Sequence, residues 1–260
     1  MADFRNYQSR VRTDGRTEAG AVIDQGLRAY MLRVYNLMAL GLALTGFAAL
    51  GTILVTVTND PSSAAATLQN GMMLTSAGVA LYGSPLRWVV MFAPLALVFW
   101  MGFRVQNMSV TKAQTIFGVF AILMGISLSS IFLVFTGASI TQTFFITAAS
   151  FGALSLYGYT TKRDLSAMGS FLIMGVFGLI IAMIVNMFLA SSALSWAISV
   201  LGVLIFAGLT AWDTQQIKEM YYEGDSEAVA GQMAIMGALR LYLDFINLFM
   251  FLLQFLGNRR

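Results

Sequence analysis

Polar and apolar residues are sorted along this chain into long blocks, not into the short alternations of strands. After a polar opening, predominantly apolar runs occupy 34–57, 86–103, 114–135, 140–159, 168–190, 194–213 and 234–256. A helix needs about 20 such residues to cross the hydrocarbon core of a bilayer, and each run comes close to that length. In lipid every backbone N–H and C=O must be satisfied within its own segment, which makes each run a helix. Apolar residues already begin near Met72, but Ser84 and Pro85 interrupt them. Proline suits the first turn of a helix, so the second span is read from Leu86. The pattern predicts an all-α protein, a polytopic membrane bundle of seven transmembrane helices over 34–260, behind a polar tail at 1–33.

The tail holds six arginines (Arg5, Arg10, Arg12, Arg16, Arg28, Arg33) and four acids (Asp3, Asp14, Glu18, Asp24). A secretory signal passes directly from a short basic start to an apolar core, whereas here the first apolar run waits until Val34. Mitochondrial presequences are poor in acids. The tail therefore reads as cytoplasmic, helical from about Ala19 into the first span. Loop charges agree with this. Arg104 and Lys112 follow the second span, Lys162 and Arg163 the fourth, and Lys218 the sixth, while the connections around 58–84, 137–139 and 191–193 hold no Lys or Arg. Basic residues stay on the cytoplasmic side, which places the N-terminus there. Seven crossings then put the C-terminus outside, yet Arg259 and Arg260 favour the inside. Either those two residues are translocated, or the last span is re-entrant or unusually placed.

Composition narrows the function. The chain is 58% hydrophobic and 10% charged, against roughly 25% charge in soluble domains, and the spans leave no room for a separate catalytic domain. It has no Cys and no His. Disulfides, thiolate sites and the usual general base are thereby excluded, and proton sensing falls to carboxylates. The net charge of +3 comes from loop residues; no basic run with interleaved aromatics points to nucleic acid. No HExxH, phosphate loop, dinucleotide fingerprint or Ser-Lys arrangement is present, so neither an enzyme nor a required cofactor is expected. Small residues at close-packing spacing (Ala39 and Ala43, Gly46 and Gly51, Ala149 and Ala153, Ala207 and Ala211) read as ordinary helix packing.

Asp244 lies well inside the apolar stretch Ala234 to Leu256. A carboxyl group there is costly and by default marks a functional site. Arg240, Asp244 and Asn247 share one helix face by their spacing of four and three, and a polar stripe on a greasy helix points inward. The seventh helix is therefore expected at the centre. Asp213 closes the stretch Trp196 to Trp212, and its helix is expected to run on to about Tyr222, with Gln216 and Ile217 on the face of Asp213. In antiparallel neighbours the two acids reach matching depths within about one turn, at 1.5 Å per residue. Two close carboxyl groups in low dielectric cannot both ionise cheaply and titrate as a unit. Such a pair suits a proton sensor, and a hard, oxygen-seeking cation such as Ca²⁺ competes for it, although two carboxylates fall short of a full Ca²⁺ cage. Alternatively each acid is neutralised separately, Asp244 by Arg240 and Asp213 by Lys218. Asn36 and Asn186 read as interhelical hydrogen-bonding groups, and Ser127, Ser129 and Ser130 either line a path or bond back to their helix. Arg104 reads as a snorkelling anchor or a latch for an acid.

The run Leu241-Tyr242-Leu243-Asp244-Phe245-Ile246-Asn247-Leu248-Phe249 closely resembles the signature of the Bax inhibitor-1 (transmembrane Bax inhibitor motif) family. Val34-Tyr35-Asn36-Leu37-Met38-Ala39-Leu40-Gly41-Leu42, Phe99-Trp100-Met101 and Asp213-Thr214-Gln215-Gln216-Ile217-Lys218 are similar to it as well. The resemblance extends over about 25–260. It implies a seven-helix bundle around the last helix and a pH-sensitive calcium leak governed by an aspartyl dyad, here Asp213 and Asp244. It also implies a latching Arg at the end of the second helix. The position after Phe-Trp-Met is Gly102, and the nearest Arg is Arg104. Bacterial members belong to the inner membrane, and the resemblance implies a second role there, binding and modulating a membrane-embedded ATP-dependent protease.

Overall fold

The computed structural model describes the backbone of residues 3–260 and the side chains of 25–105 and 107–260. Seven of its helices are long and apolar enough to cross a membrane. Helix α1 is Asp3–Thr56, with Gln25–Thr56 as its membrane segment; α2 is Leu86–Arg104 and α3 is Val110–Val134. They are followed by α4 (Gly137–Thr160), α5 (Ser166–Leu189), α6 (Ser192–Glu219) and α7 (Glu227–Leu256). The predicted tail and its helical start near Ala19 fall largely on residues 1–24, outside the described side chains.

Hydroxyl side chains start these helices. Ser109, Thr136, Ser191 and Ser226 accept from the backbone N–H of Lys112, Ser139, Leu194 and Val229, filling donors that a helix end leaves unpaired. One span boundary differs from expectation. Helix α6 stops at Glu219 and not near Tyr222, closed by the Met220 N–H donating to the Gln216 carbonyl and the Tyr221 N–H to the Lys218 carbonyl. Helix α3 breaks at Ser129 and Ser130, whose hydroxyls bond back to Ile126 and Ser127. Between α1 and α2 the chain forms a small antiparallel sheet of β1 (Val57–Thr58), β2 (Ala66–Thr67) and β3 (Met73–Leu74), in the order β1-β3-β2.

Helix α7 is the axis of the bundle. In its most apolar window 72% of residues are buried, whereas no other span exceeds 33%. It packs against α1, α3, α4 and α6, while α5 leans chiefly on α6 and α2 on α3. Phe177, Met187 and Phe188 of α5 consequently face outward, as lipid-facing residues do.

Helix α7 crosses the whole bundle. Beyond it, Asn258 accepts from the Thr136 N–H at 3.1 Å, and the Arg260 N–H donates to the Val134 carbonyl at 2.9 Å. The Arg260 Nε reaches the Phe135 carbonyl at 3.2 Å, and the Arg259 guanidinium lies 6.0 Å from the Phe135 ring centre. The terminal arginines thus dock on the α3–α4 connection, at the end opposite the Lys- and Arg-bearing connections. The re-entrant alternative is thereby corrected: backbone carbonyls and an aromatic face hold these two cations at the far end.

Candidate functional site

Two close approaches set the position of α6. At Gly158 of α4 an added Cβ would collide with the Ala211 carbonyl, so the two backbones cross in contact two residues before Asp213. At Gly237 of α7 an added Cβ would lie 3.0 Å from the Ile217 side chain, one turn beyond Asp213. Gln215 holds the α4–α5 connection onto the same helix, accepting from the Leu165 N–H at 2.9 Å and donating to the Arg163 carbonyl at 2.8 Å.

Within this frame the carboxyl groups of Asp213 and Asp244 are neighbours, close enough for the charge of one to act on the other. Asp244 is 5% exposed and the Asp213 side chain 13%. The Asp244 Oδ2 has no protein N–H or O–H donor among the described residues. Arg240, one turn before Asp244 on α7, places its Nη1 3.9 Å from the Asp213 Oδ1, with its own side chain 42% exposed. Arg240, Asp213 and Asp244 therefore form one cluster spanning both helices.

Other expected members stand apart. Lys218 is not the counterion of Asp213: its Nζ donates to the Tyr159 carbonyl at 2.9 Å and lies 5.6 Å from the Tyr159 ring centre. Gln216 turns away to Glu219 at 3.2 Å, and Ile217 is fully buried. Asn247 is half-buried and has no hydrogen-bond partner among the described residues. Arg104 is exposed at the end of α2 and has no carboxylate within 4.0 Å among the described residues, so no latch is formed here. Asn36 is exposed without a partner among the described residues, whereas Asn186 joins α5 to α6 through Ser195 at 2.7 Å and the Ser191 N–H at 3.0 Å. Ser129, besides bonding back to its helix, meets the Tyr82 hydroxyl at 2.8 Å.

Sequence reasoning missed a polar chain that joins α1, α4 and α6 beside the cluster. The Tyr35 hydroxyl on α1 meets the Ser155 hydroxyl on α4 at 2.7 Å, and Ser155 meets Thr214 on α6 at 2.9 Å. Thr214 in turn donates to the Thr210 carbonyl at 2.7 Å. The one signal in the sequence was the neighbourhood of Thr214 and Asp213, which says nothing of Tyr35, far away along the chain. The described residues contain no group of three or more acids able to hold a metal together. Ca²⁺ takes six to eight oxygens, which two carboxylates alone do not supply.

A family profile described as inhibitor of apoptosis-promoting Bax1 matches residues 27–260. The chain belongs to the Bax inhibitor-1 family. Several bacterial relatives are similar along nearly their whole length. An uncharacterised protein of Rickettsia prowazekii, RP147, is 51% identical over 94% of this chain and 95% of its own. A protein of Caulobacter vibrioides is 47% identical with both chains fully covered. The inner membrane protein YbhL of Escherichia coli K12 is 44% identical over 90% of this chain and 94% of its own. As a Bax inhibitor-1 family member with seven candidate spans, the chain is an integral membrane protein whose place is the lipid bilayer.

Proposed function

We propose that this Bax inhibitor-1 family protein is a pH-sensitive calcium (cation) leak channel of a bacterial inner membrane, with Asp213 and Asp244 as its gating dyad. The observation that carries this reading is the meeting of two carboxyl groups from neighbouring helices within reach of a single guanidinium. An ionised carboxylate only accepts hydrogen bonds, so a bond between the two requires a proton held by one of them. Loss of that proton leaves two negative charges side by side in a poorly solvated setting, where Arg240 or a passing cation offsets them. Full protonation removes the attraction between Asp213 and Arg240 and loosens α7 from α6. A bias of a few kcal/mol suffices to shift a closed–open equilibrium, and one pKa unit of differential proton affinity corresponds to about 1.4. Calcium is the cargo here, not a resident cofactor, and the role is not enzymatic.

The kinship to an inner membrane protein and the clustering of Lys and Arg at one end support an inner-membrane location with a cytoplasmic N-terminus. The test is calcium flux into liposomes across pH, for the wild type, Asp213→Asn and Asp244→Asn. Flux that rises on acidification in the wild type and is pH-independent in both variants is the expected result; an unchanged pH profile in both variants defeats the proposal. One observation favours a second role. The family match begins at residue 27 and leaves most of the polar tail, 1–33, outside it, available as a handle for a membrane-embedded ATP-dependent protease. Deleting residues 1–24 separates the two, since flux survives the deletion and protease binding does not.

A further inference from the structure

Helices α1 and α4 both pack against α7 but hardly against each other. The gap between them is a crevice open to the side. Toward the Lys- and Arg-bearing end it holds a cavity of about 600 Å³ lined by Arg28, Leu32, Tyr35, Phe151, Gly152 and Leu156 among others. A second, separate cavity of about 340 Å³ lies farther along α1 and α4, between Leu50 and Phe145, over Phe245 and Phe249 of α7. The hydrogen bond between Tyr35 and Ser155 crosses the crevice from wall to wall. Leu32 and Leu156 at its lips are 51% and 62% exposed, so it opens toward lipid and not toward the bundle interior.

We infer that this crevice is a binding site for an anionic phospholipid, with the acyl chain along the α1–α4 gap and the phosphate at Arg28. Three observations carry the inference. Away from the Tyr35–Ser155 hydrogen bond, the walls of the cavity beside Arg28 are apolar, made by Met31, Leu32, Phe151 and Leu156. The space is open at Gly152, where an added Cβ would meet nothing within 4 Å. The cations sit at one rim. Arg28 is exposed and has no carboxylate partner among the described residues, and Lys218 lies at Tyr159, another lining residue. A guanidinium at headgroup depth grips a phosphate with two parallel N–H donors, and basic pockets between spanning helices select anionic headgroups. An apolar gap alone would take any acyl chain; the cationic rim makes it selective. The site does not rest on the leak reading, since neither Asp213 nor Asp244 lines it.

Native mass spectrometry of the full chain in detergent, supplied with phosphatidylglycerol or phosphatidylcholine, tests this. The wild type is expected to retain one phosphatidylglycerol in preference to phosphatidylcholine. Arg28→Gln should lower the affinity for phosphatidylglycerol about tenfold while leaving that for phosphatidylcholine unchanged, as the loss of one charge-assisted phosphate contact does. Gly152→Phe should fill the crevice and abolish retention of both. Gly178→Phe, a like change at an open position on α5, should retain lipid as the wild type does. Equal retention of the two lipids by the wild type, or phosphatidylglycerol retention unaltered by Arg28→Gln, overturns the inference. Arg28 is a surface residue, so that arm stands even where Gly152→Phe fails to fold.

Discussion

Arg240 reaches across the helix interface to Asp213, with its Nη1 3.9 Å from the Asp213 Oδ1, although Asp244 lies one turn away on its own helix. It is the cation that ties α7 to α6 at the carboxyl pair. Arg240→Gln is expected to raise calcium flux at neutral pH and to flatten its rise on acidification, because the charge-dependent hold is already gone. Arg240→Lys should restore much of the pH dependence. Liposome flux at several pH values reads both variants.

Tyr242 is fully buried in the centre of α7, with Phe117 and Phe120 set edge-on against its ring and its hydroxyl 2.7 Å from the Thr45 Oγ1. Thr45 also bonds the Gly41 and Ala121 carbonyls, both at 2.9 Å, so one hydroxyl joins α1, α3 and α7. Tyr242→Phe should cost about 1 kcal/mol, the scale of one interhelical hydrogen bond. Tyr242→Ala should cost about 3–5 kcal/mol through the cavity it leaves. Thermal unfolding in detergent, followed by circular dichroism, orders the two.

Gly158 and Gly152 lie on the same helix and are expected to behave oppositely. An added methyl group at Gly158 presses on the Ala211 backbone, which cannot swing aside as a side chain can. Gly158→Ala should therefore destabilise by about 1–3 kcal/mol and displace Asp213, whereas Gly152→Ala should stay within about 0.5 kcal/mol of the wild type. The same unfolding measurement, with the flux assay beside it, separates them.

Asp164, in the α4–α5 connection outside the spans, is held below the usual carboxylate range by the Ser166 hydroxyl and the Ser166 backbone N–H, the latter at 2.8 Å. A group whose folded pKa is depressed stabilises above its unfolded pKa and loses that contribution as pH falls through the folded value. Asp164→Ala should thus lower the melting temperature slightly at pH 7, and the difference from the wild type should close on acidification below the ordinary carboxylate range. A difference that is constant with pH would contradict this.

The absence of native cysteines allows a direct reading of sidedness. Single cysteines introduced by Lys112→Cys and Arg260→Cys should react with a membrane-impermeant maleimide from opposite faces of oriented vesicles. Labelling from the same face would contradict a complete crossing by α7.

Much of this architecture could be read from residue order. A span is a local property: about 20 apolar residues in lipid have no alternative to a helix. The centrality of α7 was equally readable, because Arg240, Asp244 and Asn247 fall on one face of an apolar helix that cannot offer them to hydrocarbon. The limits of that logic show in the same stripe. Equal spacing put the three together, yet Asp244 is buried, Asn247 half-buried and Arg240 largely exposed. Helical periodicity orders residues around an axis; it does not say how far along that axis solvent reaches.

Partners across helices obey no such rule. Lys218 was as near to Asp213 in sequence as any cation, but the α4 carbonyl of Tyr159 claims it, and Arg240 from the next helix takes its place. The Tyr35–Ser155–Thr214 chain, the docking of Arg259 and Arg260 on the α3–α4 connection and the crevice between α1 and α4 all depend on which helices touch. Local hydropathy commits each segment to lipid and to helix, since that energy is settled residue by residue. Neighbour choice rests on close packing at a few glycine contacts and on long-range polar pairs, and those forces act only once the helices have assembled.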